Sequence, residues 1–175
     1  MTDSPVAPII LTLTLDAASH QYFNRLRQQH FPPERNYLEA HVTLFHHLPG
    51  AEQATIEQHL QAVTASVPPL PLHVSGLRFL GQGVAYSIEN PQVQQLHREL
   101  QKTWADWLTP QDQQPLRLHV TVQNKVLPTV ARTLYEELTA SFTPLEAVGT
   151  GFTLWAYQGG PWQELARFPF QAAAV

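Results

Sequence analysis

One four-residue pattern, histidine, apolar, threonine, apolar, occurs twice in this chain: His41-Val42-Thr43-Leu44 in the first half and His119-Val120-Thr121-Val122 in the second. Its surroundings repeat with it. Ile9 to Leu15 alternates in strand period, Ala17 to Phe31 carries Tyr22, Phe23, Leu26 and His30 at helical spacing before Pro32-Pro33 stops it, and His41 to Leu48 is strand-like. Ala51 to Val67 then places Ile56, Leu60 and Val63 on one helical face, and Leu70 to Leu80 is extended. After Gly81-Gln82-Gly83 the order restarts: Val84 to Glu89 alternates, and Asn90-Pro91 opens a helix as cap and first residue that runs to Leu108. Leu116 to Val126 is strand-like, Thr129 to Ala140 helical and Leu145 to Tyr157 extended, and a last strand with Leu165, Phe168 and Phe170 comes after Gly159-Gly160. Two copies of strand, helix, strand, helix, strand, over about 6–80 and 84–175, must each bury the apolar face of a sheet under helices. The expectation is an α+β single domain over 1–175 with a duplicated bilobal fold: two antiparallel sheets face each other across a central cleft, with helices on the outside.

Composition narrows the chemistry. With 43% hydrophobic and only 14% charged residues, the 175-residue chain has the makings of a packed core rather than of a disordered segment. Cysteine is absent, which removes disulfides, zinc–thiolate sites and cysteine nucleophiles. A net charge of −4 with only ten Lys plus Arg argues against an extended nucleic-acid surface, which clustered cations would have to supply. Any nucleotide ligand should therefore be small or be a chain end. No run of ~18 apolar residues occurs, and MTDSPVAP lacks a basic region followed by an apolar one. A cytoplasmic monomer with no membrane contact is expected.

Strand alternation decides what the repeated tetrads present. Val42 and Leu44, like Leu118, Val120 and Val122, point one way, so His41, Thr43, His119 and Thr121 point together to the other face. If the two faces meet across one groove, two imidazoles and two hydroxyls converge. Histidine titrates near 6.5, so one copy can be neutral while the other is charged. A phosphodiester needs that pair: a base to deprotonate the attacking oxygen and an acid to protonate the departing one. Threonine hydroxyls two residues on can donate to the non-bridging phosphate oxygens. Neither step demands a metal.

The paired tetrads, the internal duplication and the extended first motif His41–Pro49 (HVTLFHHLP) resemble the 2H phosphoesterase superfamily, which includes bacterial 2′-5′ RNA ligases and cyclic phosphodiesterases. The resemblance spans nearly the whole chain. It implies metal-independent, cofactor-free chemistry on 2′,3′-cyclic phosphates or 2′-5′ linkages of nucleotides and RNA ends, possible in reverse as 2′-5′ ligation. It further implies that His41 and His119 are the acid–base pair and that Thr43 and Thr121 are phosphate ligands. Val122 stands where leucine is commonest, an exchange on the core face.

Other residues extend the site. Phe45 and Gln123 continue the His-Thr faces by one step, the first as a base-stacking candidate and the second as a partner for ribose or a base edge. Arg117 precedes His119 by two residues as a phosphate ligand, and Glu39 in the same way is placed to orient His41. Trp155 and Tyr157 are candidates for a nucleobase platform. Trp104 and Trp107 belong to a helical stripe and read as core. Aligning Gly76 with Gly151 leaves His73 without a symmetric partner, as a partly buried strand residue. His20, His30, His59 and His97 read as surface or boundary residues of helices. Two alternatives stand beside the phosphodiesterase reading: a nucleotide-binding module with little or no turnover, and a metal-dependent hydrolase built on His41, His46 and His47.

Overall fold

The computed structural model describes residues 5–173; the outermost ends of the expected 1–175 domain, including the start of the segment MTDSPVAP, lie outside the described residues. The element order is β1 (Ile9–Leu15), α1 (Ala17–His30), β2 (Val42–Leu48), α2 (Gln53–Thr64), β3 (Leu70–Phe79), β4 (Val84–Glu89), α3 (Pro91–Thr103), β5 (His119–Gln123), α4 (Pro128–Ala140), β6 (Leu145–Tyr157) and β7 (Trp162–Pro169). Helix and strand therefore alternate as the two half-patterns imply. The helix expected to reach Leu108 ends at Thr103 and tightens into a 3-10 turn over Ala105–Trp107, which seats Trp104 in the core at 1% exposure. No described helix is long and apolar enough to cross a membrane.

The expectation of two separate sheets is corrected. Among the described residues all seven strands form one antiparallel sheet in the order β2-β1-β6-β3-β4-β5, with β7 on β6. The join is the pairing of β3 with β6, from Leu70 against Gly149 to Val74 against Leu145. Each half thus gives its third strand to the first strand of the other half, β3 to β4 and β6 to β1, an exchange that period-2 patterning cannot reveal because it fixes faces and not partners.

Helix caps anchor at this join. Asp16 Oδ2 accepts from Ser19 N at 3.1 Å to start α1, while its Oδ1 accepts from Val148 N at 2.9 Å. Asn90 Oδ1 accepts from Val93 N at 2.9 Å to start α3, while its amide donates to the Pro71 carbonyl. Pro71 and Val148 are register partners, so both helices that lead toward the motifs hang from one point of the sheet. Each cap is worth about 1 kcal/mol.

The two motif strands end the path β2-β1-β6-β3-β4-β5, and a side chain from a helix of the opposite half reaches each. Arg27 on α1 donates from Nη1 to the Thr121 carbonyl at 3.1 Å, and His97 on α3 donates from Nε2 to the Leu44 carbonyl at 3.1 Å. These side chains take up edge carbonyls that would otherwise be open to strand addition. They also bring β2 and β5 next to each other. His97, expected near the surface, is 3% exposed and stacks on Phe45 at 4.6 Å between ring centroids.

Both motif strands carry the same irregularity. One step on β1, Leu11 to Thr12, spans two on β2, from Phe45 to Thr43; one step on β4, Val84 to Ala85, spans two on β5, from Gln123 to Thr121. A bulge immediately after each motif threonine reverses the facing of the residues beyond it. Gly83 permits the second one, because a Cβ there would collide with the Gln123 carbonyl.

Candidate active site

His41 immediately precedes β2 and His119 opens β5. Both rings are fixed the same way. His41 Nδ1 lies 2.7 Å from the Glu39 carbonyl and His119 Nδ1 lies 2.6 Å from the Arg117 carbonyl. A carbonyl oxygen can only accept, so Nδ1 carries the proton in each ring, and Nε2 of the neutral imidazole is left with a lone pair. The backbone two residues upstream, not the Glu39 side chain, orients His41; that carboxylate turns to His20 Nε2 at 3.3 Å.

Desolvation within the site pushes His41 down to about 4, against the Glu39 hydrogen bond, and the positive charges of Arg27, His119 and His46 push the same way. His119 is also lowered, first by desolvation and then by Arg78, His46 and Arg117, against its own carbonyl bond. The influence of His119 on His41 is the electrostatic sign of how near the two motifs stand. Thr43 and Thr121 are half-buried; Thr43 is the register partner of Thr12, and His119 of Ser87.

Beside His41 opens a cavity of about 610 Å³, lined among others by Thr14, Tyr37, Thr153, Trp155 and Trp162. This is the size of a small-ligand site. Trp162 lies 4.7 Å from the His41 ring and 6.1 Å from the Trp155 ring, centroid to centroid. Trp155 is held by its Nε1, which donates to Thr12 Oγ1 at 2.9 Å, and Thr153 Oγ1 is bonded to Thr14 Oγ1 at 2.7 Å. The cavity wall includes His41 but not Thr43, His119 or Thr121, so the second motif lies beyond it, on the opposite edge strand.

A family model described as the 2′-5′ RNA ligase superfamily matches residues 15–161, which include both motifs. The chain belongs to the 2′-5′ RNA ligase superfamily. No curated protein matches the sequence. Among solved structures, TT0787 of Thermus thermophilus is similar at 14% identity over 94% of this chain and 98% of that one, with a TM-score of 0.67. E. coli LigT complexed with 3′-AMP is 19% identical over 95% and 99% of the two chains, with a TM-score of 0.61. LigT complexed with ATP is also 19% identical, over 97% and 100%, with a TM-score of 0.58. At such identities the likeness is one of fold.

Within this superfamily member, two expected ligand contacts are corrected by the bulges. Phe45 is 0% exposed and packs on His97 and Trp104, and Gln123 is 5% exposed, its Oε1 buried without a hydrogen-bond partner among the described residues. Neither belongs to the wall of the cavity beside His41. Tyr157 lies one strand step beyond Ala156, 44% exposed and outside the cavity wall. Arg117 is exposed beside His119.

The histidine cluster does not assemble. Among the described residues no three His, Asp or Glu side chains are placed to hold a metal ion. His46 and His47 instead give their backbone N–H groups to the buried Asp112 carboxylate at 2.8–3.0 Å, and His46 Nδ1 adds a contact at 3.1 Å. Burial alone would raise the Asp112 carboxyl, but these hydrogen bonds hold it below its usual value. His73, expected to be partly buried, is exposed and pairs with Glu146 at 2.7 Å.

Four residues at the site were not found from the sequence: Tyr37, Trp162, Arg27 and Arg78. Trp162 was detectable as the hairpin partner of Tyr157 across Gly159-Gly160. Arg78 was detectable from the alignment of Gly76 with Gly151, which sets it level with Thr153. Arg27 carried no local signal, since its partners Asn36, Leu38 and Thr121 are spread along the chain.

Proposed function

We propose that this chain is a metal-independent phosphodiesterase that opens 2′,3′-cyclic phosphates, or cleaves 2′-5′ linkages, on nucleotides and RNA ends, with 2′-5′ ligation as the reverse direction. The observation that carries this reading is the matched pair of Nδ1-to-carbonyl bonds, which gives both motif histidines one tautomer with Nε2 available for proton transfer. His41, the more strongly depressed ring, is the base. Its Nε2 takes a proton from the attacking oxygen, that of water in hydrolysis or of a ribose 5′-hydroxyl in ligation, as that oxygen attacks phosphorus, the bond from phosphorus to one ribose oxygen breaks, and charged His119 protonates the departing oxygen. Hydrolysis of a cyclic phosphate yields a ribose monophosphate, and ligation a 2′-5′ diester. Thr43 and Thr121 donate to the non-bridging oxygens, where charge accumulates. The bound phosphate's negative charge raises both imidazoles toward neutral pH.

The cavity beside His41 receives the nucleoside, with Trp155 and Trp162 as stacking surfaces. LigT, a protein of similar fold, has been crystallised with 3′-AMP, a phosphate carried on the ribose, which supports a ligand of this class. The test is turnover of a panel of 2′,3′-cyclic nucleotides and 2′-5′ dinucleotides in EDTA-containing buffer, with the product's phosphate position determined. Turnover of at least one class is expected; none on any member overturns the reading.

A further inference from the structure

The two sides of the site differ in unpaired cationic charge. Beside His41, Arg167 of the cavity wall pairs with Glu164 and Arg27 is hydrogen-bonded to Asn36 and to the Leu38 and Thr121 carbonyls; the residue two positions upstream is Glu39, and the position on β6 that matches Arg78 of β3 is the neutral Thr153. Beside His119 the corresponding positions hold Arg117 and Arg78, both cationic. Arg78 Nη1 lies 3.4 Å from His119 Nδ1. Because that nitrogen already donates its proton to the Arg117 carbonyl, the approach is a cation set against an N–H and not a hydrogen bond. Among the described residues the ion pairs are His20–Glu39, His46–Asp112, His73–Glu146 and Arg167–Glu164, so neither Arg78 nor Arg117 meets a carboxylate. Two neighbouring guanidinium groups without a counter-charge, one half-buried and one exposed, form a site that an anion completes.

Arg78 approaches His119 at Nδ1, the nitrogen already bonded to the Arg117 carbonyl, and not at Nε2, the nitrogen left free for proton transfer. We propose that Arg78 and Arg117 form a second phosphate subsite, which takes a phosphate on the 5′ side of the nucleoside whose cyclic phosphate is opened. This rests on the phosphodiesterase reading above and narrows it: the preferred substrate carries two phosphates, as an RNA end or a 5′-phosphorylated cyclic nucleotide does, and a cyclic mononucleotide is the poorer one.

The test compares kcat/KM for adenosine 2′,3′-cyclic phosphate with and without a 5′-phosphate. The wild type is expected to favour the 5′-phosphorylated form by roughly tenfold or more, the scale of a charge-assisted contact to phosphate. Arg78→Gln and Arg117→Gln are each expected to lose several-fold more on the 5′-phosphorylated substrate than on the other, and Arg78→Lys to keep part of the preference. Equal use of the two substrates by the wild type overturns the subsite while leaving the phosphodiesterase reading intact. An equal loss on both substrates in Arg78→Gln, with a shifted pH profile, also overturns it and makes Arg78 a positioning residue for His119. A wild type inert on both removes the underlying reading instead.

Discussion

Arg27 reaches from the first helix to the second motif, donating to the Thr121 carbonyl at 3.1 Å across 94 positions of sequence, while its Nε donates to the Leu38 carbonyl at 2.9 Å just ahead of the first motif. The residue is 4% exposed; its guanidinium also bonds Asn36 Oδ1 at 2.8 Å and lies 4.0 Å over the Phe31 ring. One side chain therefore sets the spacing between the approach to His41 and the strand that carries His119. Arg27→Gln should leave the Leu38, Asn36 and Thr121 acceptors unpaired, at about 1–3 kcal/mol for each one that stays buried. A lowered Tm together with a fall in kcat larger than the change in KM is expected, with partial recovery in Arg27→Lys. Unchanged kcat in a folded Arg27→Gln protein would remove its bridging role.

The bulge after each motif predicts opposite outcomes at Phe45 and Gln123. Phe45→Ala empties a fully buried site and should cost about 3–5 kcal/mol of unfolding free energy. Gln123→Leu removes a buried amide oxygen that has no partner among the described residues, and should leave stability unchanged or raise it. Denaturant unfolding distinguishes these. A Gln123→Leu protein of normal stability but weakened substrate binding would return Gln123 to the cleft.

Trp162 stands over His41 at the cavity. Trp162→Ala should raise KM about five- to hundredfold through lost stacking, with a smaller effect on kcat. Tyr157→Ala, outside the wall, should change KM by less than about twofold at an exposed site. The reverse ranking in steady-state kinetics would move the base to the strand end.

How far the sequence could be read divides along the same lines. Strand and helix periods located the elements, because apolar periodicity reports which face is covered. The repeated tetrads brought out His41, Thr43, His119 and Thr121 because two matched motifs recur at the same place in a repeat. The pairing of β3 with β6 was not legible, since patterning is silent on partners. Phe45 and Gln123 were misplaced by one extra residue per strand, which no side-chain pattern marks. Arg27 acts between segments far apart in sequence, where only the folded chain brings charge and carbonyl together.

The histidine environments fix a pH dependence. With His41 near 4 and His119 below its ordinary 6.5, the free enzyme holds neutral His41 with charged His119 only between those values. kcat/KM should peak below pH 6.5 and fall about tenfold per unit above the His119 value. Stability runs the other way: lowered folded-state values mean that the unfolded chain binds more protons, so stability is full above about 6.5 and is lost as pH falls through the folded values toward about 4. A pH–rate maximum above about 7.5, or a Tm that rises on acidification from about pH 7 to 4, would contradict these environments.

The most direct measurement is the rate of 2′,3′-cyclic nucleotide opening in EDTA by wild type, His41→Ala and His119→Ala, with circular dichroism to show that each variant is folded. Each substitution should lower kcat on the order of 10²–10⁴-fold, as loss of a positioned acid or base does. The double variant should be little worse than either alone, since the two rings act as one unit. Full activity in either folded single variant would contradict the two-histidine mechanism.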